Sequence, residues 1–349
     1  MKAAVLYRPN AKILIETLPD PVCPGDGVIV EVKACGVCRS DHHTWVGADP
    51  DLRLPHVMGH EFAGVVAEVG PECTKFRKGD RVTAPFILGC GQCADCTTGQ
   101  PTICDDQRLI GFTQWGAFAQ RVPVQAADFN LVHLPDPISF NEAAGMGCRV
   151  TTAWRGLNDR AGLKPGEWVV IHGCGGVGLS AVMLAVAIGA QIVAVDVSAD
   201  ALTLAKNLGA DICINAAEVA DVSEAVRDAT GGGAHVAVDA LGVTATFDNS
   251  LRSLRKLGRH VQIGMPVGMH ETVSLPLLDL VYSRQLSLYG MRGLGADGFK
   301  TLLDMAVLGQ LDLGALVTQT IPLSKVGAAL QAMDHSQAAG ITVIDNFVS

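Results

Sequence analysis

Four cysteines, Cys90, Cys93, Cys96 and Cys104, stand in the run GCGQCADCTTGQPTIC, separated by two, two and seven residues. Four thiolates at that spacing can close on one tetrahedral ion. Zinc suits them, being borderline-soft and indifferent to redox, and an iron–sulfur cluster would accept the same ligands. Because the protein fills all four positions, such an ion would stabilise the lobe 89–105 and leave no place for a substrate. Gly89, Gly91 and Gly99 free that loop to wrap.

A second chemical signal is EWVVIHGCGGVGLSAVMLA, residues 167–185, with Gly173-x-Gly175-x-x-Gly178 between an apolar strand and a helix. Gly173 allows the tight turn, Gly175 lets a pyrophosphate approach the backbone, and Gly178 lets the helix pack on the sheet. The N-terminus of the helix that follows supplies free N–H groups for phosphate, and Gly176 and Val177 join the three glycines as candidate coenzyme contacts. The next strand, QIVAVD, ends in Asp196, whose carboxylate can accept both ribose hydroxyls and repel a 2′-phosphate. This points to NAD in preference to NADP. Val197, Ser198 and Ala199 supply no arginine for a phosphate, and Lys206 lies further along the helix. A third set is scattered: Cys38 in ACGVCRSDHH, His60 beside Glu61 in MGHE, and Cys148 in GMGCRVTT. These are metal-ligand types, but buried cysteines and satisfied histidines are common, and their spacing alone decides nothing.

The elements that must carry these residues fall into two patterns. Residues 1–150 read as short alternating or β-branched runs broken by Pro and Gly, with strands at 28–38, 61–70 and 80–85 and more within 116–135. Ser139 with Glu142 three residues on predicts a capped helix over 139–147. From 161 the period changes. A turn followed by a strand is expected at 161–173, and further strands at 192–195, 212–214, 235–238 and 259–263. Helices between them are expected at 179–188, 199–208, 219–229 and 244–254, the rhythm of βαβ units on a parallel sheet. A helix at 325–334 and a strand at 341–347 close the pattern. The uncharged stretch 177–195 is long enough to suggest a membrane span, but Gly189 and Gln191 split it into helix and strand.

The 349 residues suggest two domains, and 49% hydrophobic with 17% charged residues excludes a mostly disordered chain. A net charge of −9 argues against a nucleic-acid partner. Eleven cysteines, an odd number, argue against a fully paired disulfide framework and for a reducing, cytoplasmic setting. The opening residues read as a strand pair and not as a signal peptide.

GVCRSDHH, GHEFAG, GDRV, the four-cysteine lobe and GCGGVG, in this order, resemble the zinc-dependent alcohol dehydrogenases of the medium-chain dehydrogenase/reductase family over residues 1–349. The resemblance implies an α/β fold. A doubly wound parallel-sheet (Rossmann) coenzyme domain, 150–292, is inserted into a β-rich GroES-like catalytic domain built from 1–149 and 293–349. It implies NAD and two zinc ions per chain, one structural and one catalytic, the latter held by Cys38, His60 and Cys148. Cysteine at 148 is similar to the alcohol dehydrogenase branch, where the polyol branch tends to place glutamate. Ser40 resembles the hydroxyl that takes the substrate proton and His43 the group that passes it to solvent, with His42 competing for that role. Asp41 resembles the acid orienting His60, and Glu61 the carboxylate behind the zinc that is not a resting ligand. Arg39 resembles the pyrophosphate cation, and Thr152 and Val177 the residues behind the nicotinamide.

Phe86, Trp45 and Trp115 are candidate walls of the alcohol pocket. One departure is visible: 148–150 read Cys-Arg-Val where Cys-Ala-Gly is familiar, and Arg149 is expected to face the coenzyme or the domain junction. The implied activity is reversible oxidation of primary, including aromatic, alcohols to aldehydes. The alternative is an NAD-dependent dehydrogenase of a polyol or secondary alcohol. The implied partners are a small alcohol or aldehyde and further copies of the chain, as a homotetramer or homodimer, with no membrane.

Overall fold

The structure, a computed structural model, describes residues 1–49, 52–334 and 339–348. It divides into two compact units: Met1–Thr151 with Gly293–Ser336 and Ile341–Ser349, and Thr152–Arg292 with Gln337–Gly340.

The first unit is β-rich. The opening strand pair forms as expected, Lys2–Leu6 antiparallel to Leu14–Thr17. The larger sheet is organised around Val28–Val37, whose alternating Val28, Val30 and Val32 enter the core. This strand pairs antiparallel with Glu61–Val69, Arg121–Val124 and Ile341–Asn346. Ile341–Asn346 in turn runs parallel to Val317–Pro322, a strand that periodicity did not reveal. Phe62, Phe118, Leu6 and Met58 are fully buried at the centre of this unit. The capping box at Ser139 is present. Its hydroxyl accepts from Glu142 N at 3.2 Å and the Glu142 carboxylate accepts from Ser139 N at 2.7 Å. The helix it starts, Phe140–Ala144, is shorter than expected, because a π-helical turn takes over at Met146–Val150.

The second unit is a six-stranded, wholly parallel sheet. The strand order is Ile212–Asn215, Gln191–Asp196, Trp168–His172, Ala234–Asp239, Leu254–Gln262 and Ser287–Gly290. In chain order that is 3-2-1-4-5-6, the doubly wound arrangement, and its switch point lies between Trp168–His172 and Ala234–Asp239. The fold is therefore a Rossmann sheet combined with a GroES-like β body. Helix Gly176–Ile188 ends at Gly189, which has φ +84°. That left-handed residue turns the chain into the next strand, so the uncharged stretch is a 13-residue helix and a strand. Among the described residues no helix is long and apolar enough to cross a membrane. Leu254–Gln262 starts five residues earlier than expected; Leu257 sits at φ +61° in an irregular register that no β-branched run announces.

Candidate functional site

Cys38 ends the extended chain of the central strand and caps the short helix Arg39–Trp45. Asp41, three residues on and fully buried, accepts from Cys38 N at 2.9 Å through one carboxylate oxygen. Its other oxygen accepts from Gly59 N at 3.1 Å and faces His60 Nδ1 at 3.0 Å. An ionised carboxylate can only accept, so Nδ1 of His60 carries the proton and Nε2 presents its lone pair. That Nε2 is buried and has no hydrogen-bond partner. Cys38, His60, Glu61 and Cys148 offer ligand atoms within 4.8 Å of one another, although Cys148 arrives from the π-helical turn 88 residues after His60. Two thiols and an unpartnered imidazole nitrogen fit a divalent metal. A hydrogen bond from the Cys148 thiol, together with the nearby Arg149 charge, holds the Cys38 thiol well below its ordinary range.

The four-cysteine lobe forms a second candidate metal centre. Sγ of Cys90 lies 4.0 Å from that of Cys96, and Sγ of Cys93 lies 3.7 Å from that of Cys104. These separations are far beyond a disulfide bond. They match the roughly 3.8 Å edge of a tetrahedron with zinc–sulfur arms of about 2.3 Å. Backbone N–H groups of Gln92 and Cys93 pull the Cys90 thiol down to about 7, and burial pushes Cys96 up to about 12.

Apolar side chains line the first centre. Phe86, Ile87, Leu109 and Phe112 form one buried cluster with Cys38 and Cys148. The His60 ring lies 5.6 Å from Phe86 and 4.9 Å from Phe112, centroid to centroid. The other two wall candidates are elsewhere. Trp45 is buried in the main core of its unit and donates to Ala11 O at 2.9 Å. Trp115 is 40% exposed and donates to Pro55 O. Phe112 was missed because GFTQWG offers a brighter tryptophan three residues on, and aromatic identity does not tell which way a loop turns.

Arg149 is buried, and its guanidinium grips the buried Glu61 carboxylate with Nε and Nη2, a partner the sequence did not indicate. Glu61 also accepts from Cys148 N at 3.2 Å and Arg149 N at 3.1 Å. Burial raises the Glu61 carboxyl, and the Arg149 charge opposes that rise.

Ser40 is half-buried with Oγ 3.8 Å from Cys38 Sγ. The neighbouring histidines are distinguished by their partners. His42 is tied to Asp334 at 2.7 Å, while half-buried His43 keeps an unpartnered Nδ1. Burial lowers the His43 pKa below 6.5. Arg39 is exposed and donates to Met333 O.

In the second unit the glycine turn is built as its residues suggest. Gly173 has φ +95°, a Cβ on Gly178 would collide with the Gly173 carbonyl, and a Cβ on exposed Gly175 would meet nothing within 4 Å. Gly175, with no side chain to cap it, leaves the N–H groups of the helix beginning at Gly176 and Val177 open to an anion. Asp196 ends its strand beside this turn, accepting from Cys174 N at 2.6 Å and Ser198 N at 2.8 Å with one oxygen each. Lys206 is occupied, donating to Ala210 O and Asp211 O. Thr152 is buried with an unpartnered Oγ1, and Val177 is half-buried. One residue had no signal in the sequence. His172, the last residue of the strand, lines a recess with Gly173, Asp196 and Leu241, and its buried Nε2 has no partner. Burial presses its pKa down to about 4, so it is neutral.

Comparison with known proteins agrees with this construction. Residues 24–136 match the alcohol dehydrogenase GroES-like domain and residues 176–307 the zinc-binding dehydrogenase domain. An alcohol dehydrogenase of Geobacillus stearothermophilus is 34% identical over 346 residues, covering 99% of both chains. An NAD-dependent alcohol dehydrogenase of Sulfurisphaera tokodaii is 31% identical over 354 residues, again covering 99% of both. The crystal structure of the alcohol dehydrogenase from Aeropyrum pernix superposes with a TM-score of 0.90 at 28% identity, covering 99% of this chain and 100% of that one. Two domain models in the expected order, and relatives matched from end to end, make this chain a member of the zinc-binding alcohol dehydrogenases of the medium-chain dehydrogenase/reductase family.

Proposed function

We propose that the protein is an NAD- and zinc-dependent alcohol dehydrogenase that interconverts primary alcohols, aromatic ones included, and their aldehydes. The observation that carries this reading is the buried His60 imidazole, fixed by Asp41 so that an unpartnered Nε2 stands with the sulfurs of Cys38 and Cys148. Zinc held by Cys38, His60 and Cys148 would supply the Lewis acidity that makes an alcohol hydroxyl acidic, and NAD would accept the hydride. Cys90, Cys93, Cys96 and Cys104 hold a second, structural zinc. Phe86, Phe112, Ile87 and Leu109 exclude water from the reacting carbon and favour an extended or aromatic alcohol. Gly173, Gly175, Gly176, Val177 and Gly178 seat the pyrophosphate, with Arg39 as an added cation, and Thr152 and Val177 back the nicotinamide.

Ser40 accepts the alcohol proton and His43 delivers it to solvent. Because burial keeps His43 unprotonated to below pH 6.5, the wild type retains this acceptor as pH falls. His43→Gln loses it, so the variant's kcat/KM for alcohol oxidation falls more steeply between pH 8 and 6, by about tenfold relative to wild type. An unchanged pH–rate profile removes His43 from the route.

Asp196 sets the coenzyme. A 2′-phosphate beside it meets like charge and forfeits a hydroxyl hydrogen bond, a cost of at least about 1.4 kcal/mol, or tenfold. The test is kcat/KM with NAD and NADP across benzyl alcohol, 1-butanol, 2-butanol and sorbitol. We expect NAD to be preferred by about tenfold to a hundredfold and benzyl alcohol or 1-butanol to lead; Asp196→Ala narrows the coenzyme gap. Sorbitol or 2-butanol in the lead would turn the assignment to a polyol or secondary-alcohol dehydrogenase.

The assembly we propose is a homotetramer or homodimer. Ser287–Gly290 is an edge strand of its sheet, and Met269, Leu277, Leu278 and Tyr282 in the same unit are between 61% and 86% exposed. An open edge beside exposed apolar side chains fits a second copy of the chain. Light scattering that gives a monomer mass overturns this.

A further inference from the structure

The family comparison leaves the departure at 148–150 unexplained, and the geometry around it points to a function. A carboxylate oxygen of Glu61 lies within 4.8 Å of the ligand atoms of Cys38, His60 and Cys148. Two sulfurs, one imidazole nitrogen and one carboxylate oxygen would close a four-coordinate ion completely, and a site closed in that way has no position left for a substrate. We propose that Arg149 is a latch that withholds the Glu61 carboxylate from the metal, and so keeps that position open. The inference rests on the assignment of Cys38, His60 and Cys148 as ligands.

Three features build the latch. The first is saturation of the carboxylate. Its Oε1 accepts from Cys148 N, Arg149 N and Arg149 Nε at 3.0 to 3.2 Å, and its Oε2 from Arg149 Nη2. The two backbone donors lie within the π-helical turn, so the segment that delivers the ligand Cys148 also delivers the groups that hold Glu61 back. Among the described residues the guanidinium is the donor to Oε2, so its loss would leave that oxygen without a partner. The second feature is room. Gly36 lies against the pair, and a Cβ there would run into Glu61 Oε2 and come within 2.9 Å of Arg149 Nη2. The third is charge. Glu61 and Arg149 are both buried, at 0% and 4% exposure, and cancel one another. Two thiolates and a neutral imidazole then balance a divalent ion without calling on a further anion. A fork-shaped guanidinium can occupy both oxygens at once, which a lysine cannot.

The test uses the full-length protein with cobalt(II) exchanged into the catalytic centre, and thiocyanate as a probe of the open position. In wild type, added thiocyanate shifts the cobalt visible spectrum. In Arg149→Met the freed carboxylate takes the fourth position: the spectrum changes before thiocyanate is added, thiocyanate affinity falls at least about tenfold, and removal of the metal by a chelator slows. In the double variant Arg149→Met/Glu61→Gln no carboxylate remains, so the wild-type spectrum and its thiocyanate response return. A purely structural role for Arg149 would not be reversed in this way. If Arg149→Met fails to fold, Arg149→Lys carries the test, because it keeps the cation but frees one oxygen; its thiocyanate affinity must drop at least about threefold. An Arg149 variant with a wild-type cobalt spectrum and wild-type thiocyanate affinity overturns the latch. Protein that binds only one metal ion, in the four-cysteine lobe, would instead overturn the assignment on which the latch rests.

Discussion

His60→Ala is expected to lower kcat/KM for alcohol oxidation by about a thousandfold or more while zinc content falls from two ions per chain to one. The expectation follows from what the side chain does. Its Nε2 is the single imidazole nitrogen beside the sulfurs of Cys38 and Cys148, and no other described histidine belongs to that cluster. Losing a positioning partner of a metal ligand typically costs about ten- to a hundredfold, and losing the ligand itself costs more. Asp41→Asn, which keeps the shape but not the charge that fixes the His60 tautomer, should fall in that smaller range. The fold survives both changes. Removing a ring packed by Phe86 and Phe112 costs about 2–5 kcal/mol, as for other large core truncations, within the margin of most domains. Circular dichroism should therefore remain near wild type, and the remaining ion should be the one held by four cysteines. A fully active His60→Ala protein, or one that keeps both ions, ends the assignment.

Cys96→Ser should reverse that pattern, with stability falling first and activity following. The four sulfurs are contributed by residues 90–104, a segment with a four-residue helix and one 3-10 turn as its regular structure. Such a segment cannot bury enough apolar surface to hold itself, so the metal supplies the missing free energy. In small zinc domains that term is about 10–16 kcal/mol at neutral pH. With one sulfur gone, we expect one ion per chain instead of two, a melting temperature lowered by about 10 °C or more, and poor soluble yield. The same lobe should be sensitive to acid. Protons compete with the metal for the thiolates, so a chelator should strip the ion faster at pH 5.5 than at pH 8. An unchanged melting temperature and zinc content in Cys96→Ser would show that the lobe stands without metal.

The features legible in the sequence are those encoded over short spans. The capping box needs Ser139 and Glu142 alone, the coenzyme turn needs six residues after a strand, and the four-cysteine lobe needs fifteen. Each carries its own geometry, and each is found as built. The parallel sheet was legible for the same reason, since every βαβ unit repeats a local rhythm. What could not be read is whatever depends on two distant segments meeting. Glu61 and Arg149 are 88 residues apart, and nothing near either states that a glycine at 36 leaves room for their pair. Trp45 and Phe112 changed places for a related reason. Helix Arg39–Trp45 turns its indole into the core, whereas Phe112 sits in a loop whose path is fixed by a pairing of Ile87–Leu88 with Arg108–Leu109. His172 looked like one more residue of a buried strand, and its unpartnered nitrogen emerges only once the recess around it exists.

The pairing of Val28–Val37 with Ile341–Asn346 constrains the order in which the protein is made. These strands are neighbours in the sheet but lie about three hundred residues apart in the chain. At ribosomal speeds of about 5–20 residues per second, the earlier strand waits about 15–60 seconds for its partner. During that interval the Cys35–Val37 end of the strand leading to Cys38 lacks its partner on one edge. The lobe at 90–104 and the six parallel strands from 168 to 290 need no late arrival of that kind. The four cysteines and the parallel sheet are therefore complete in the growing chain before Ile341–Asn346, the strand that closes the β-rich sheet against Val28–Val37, is made.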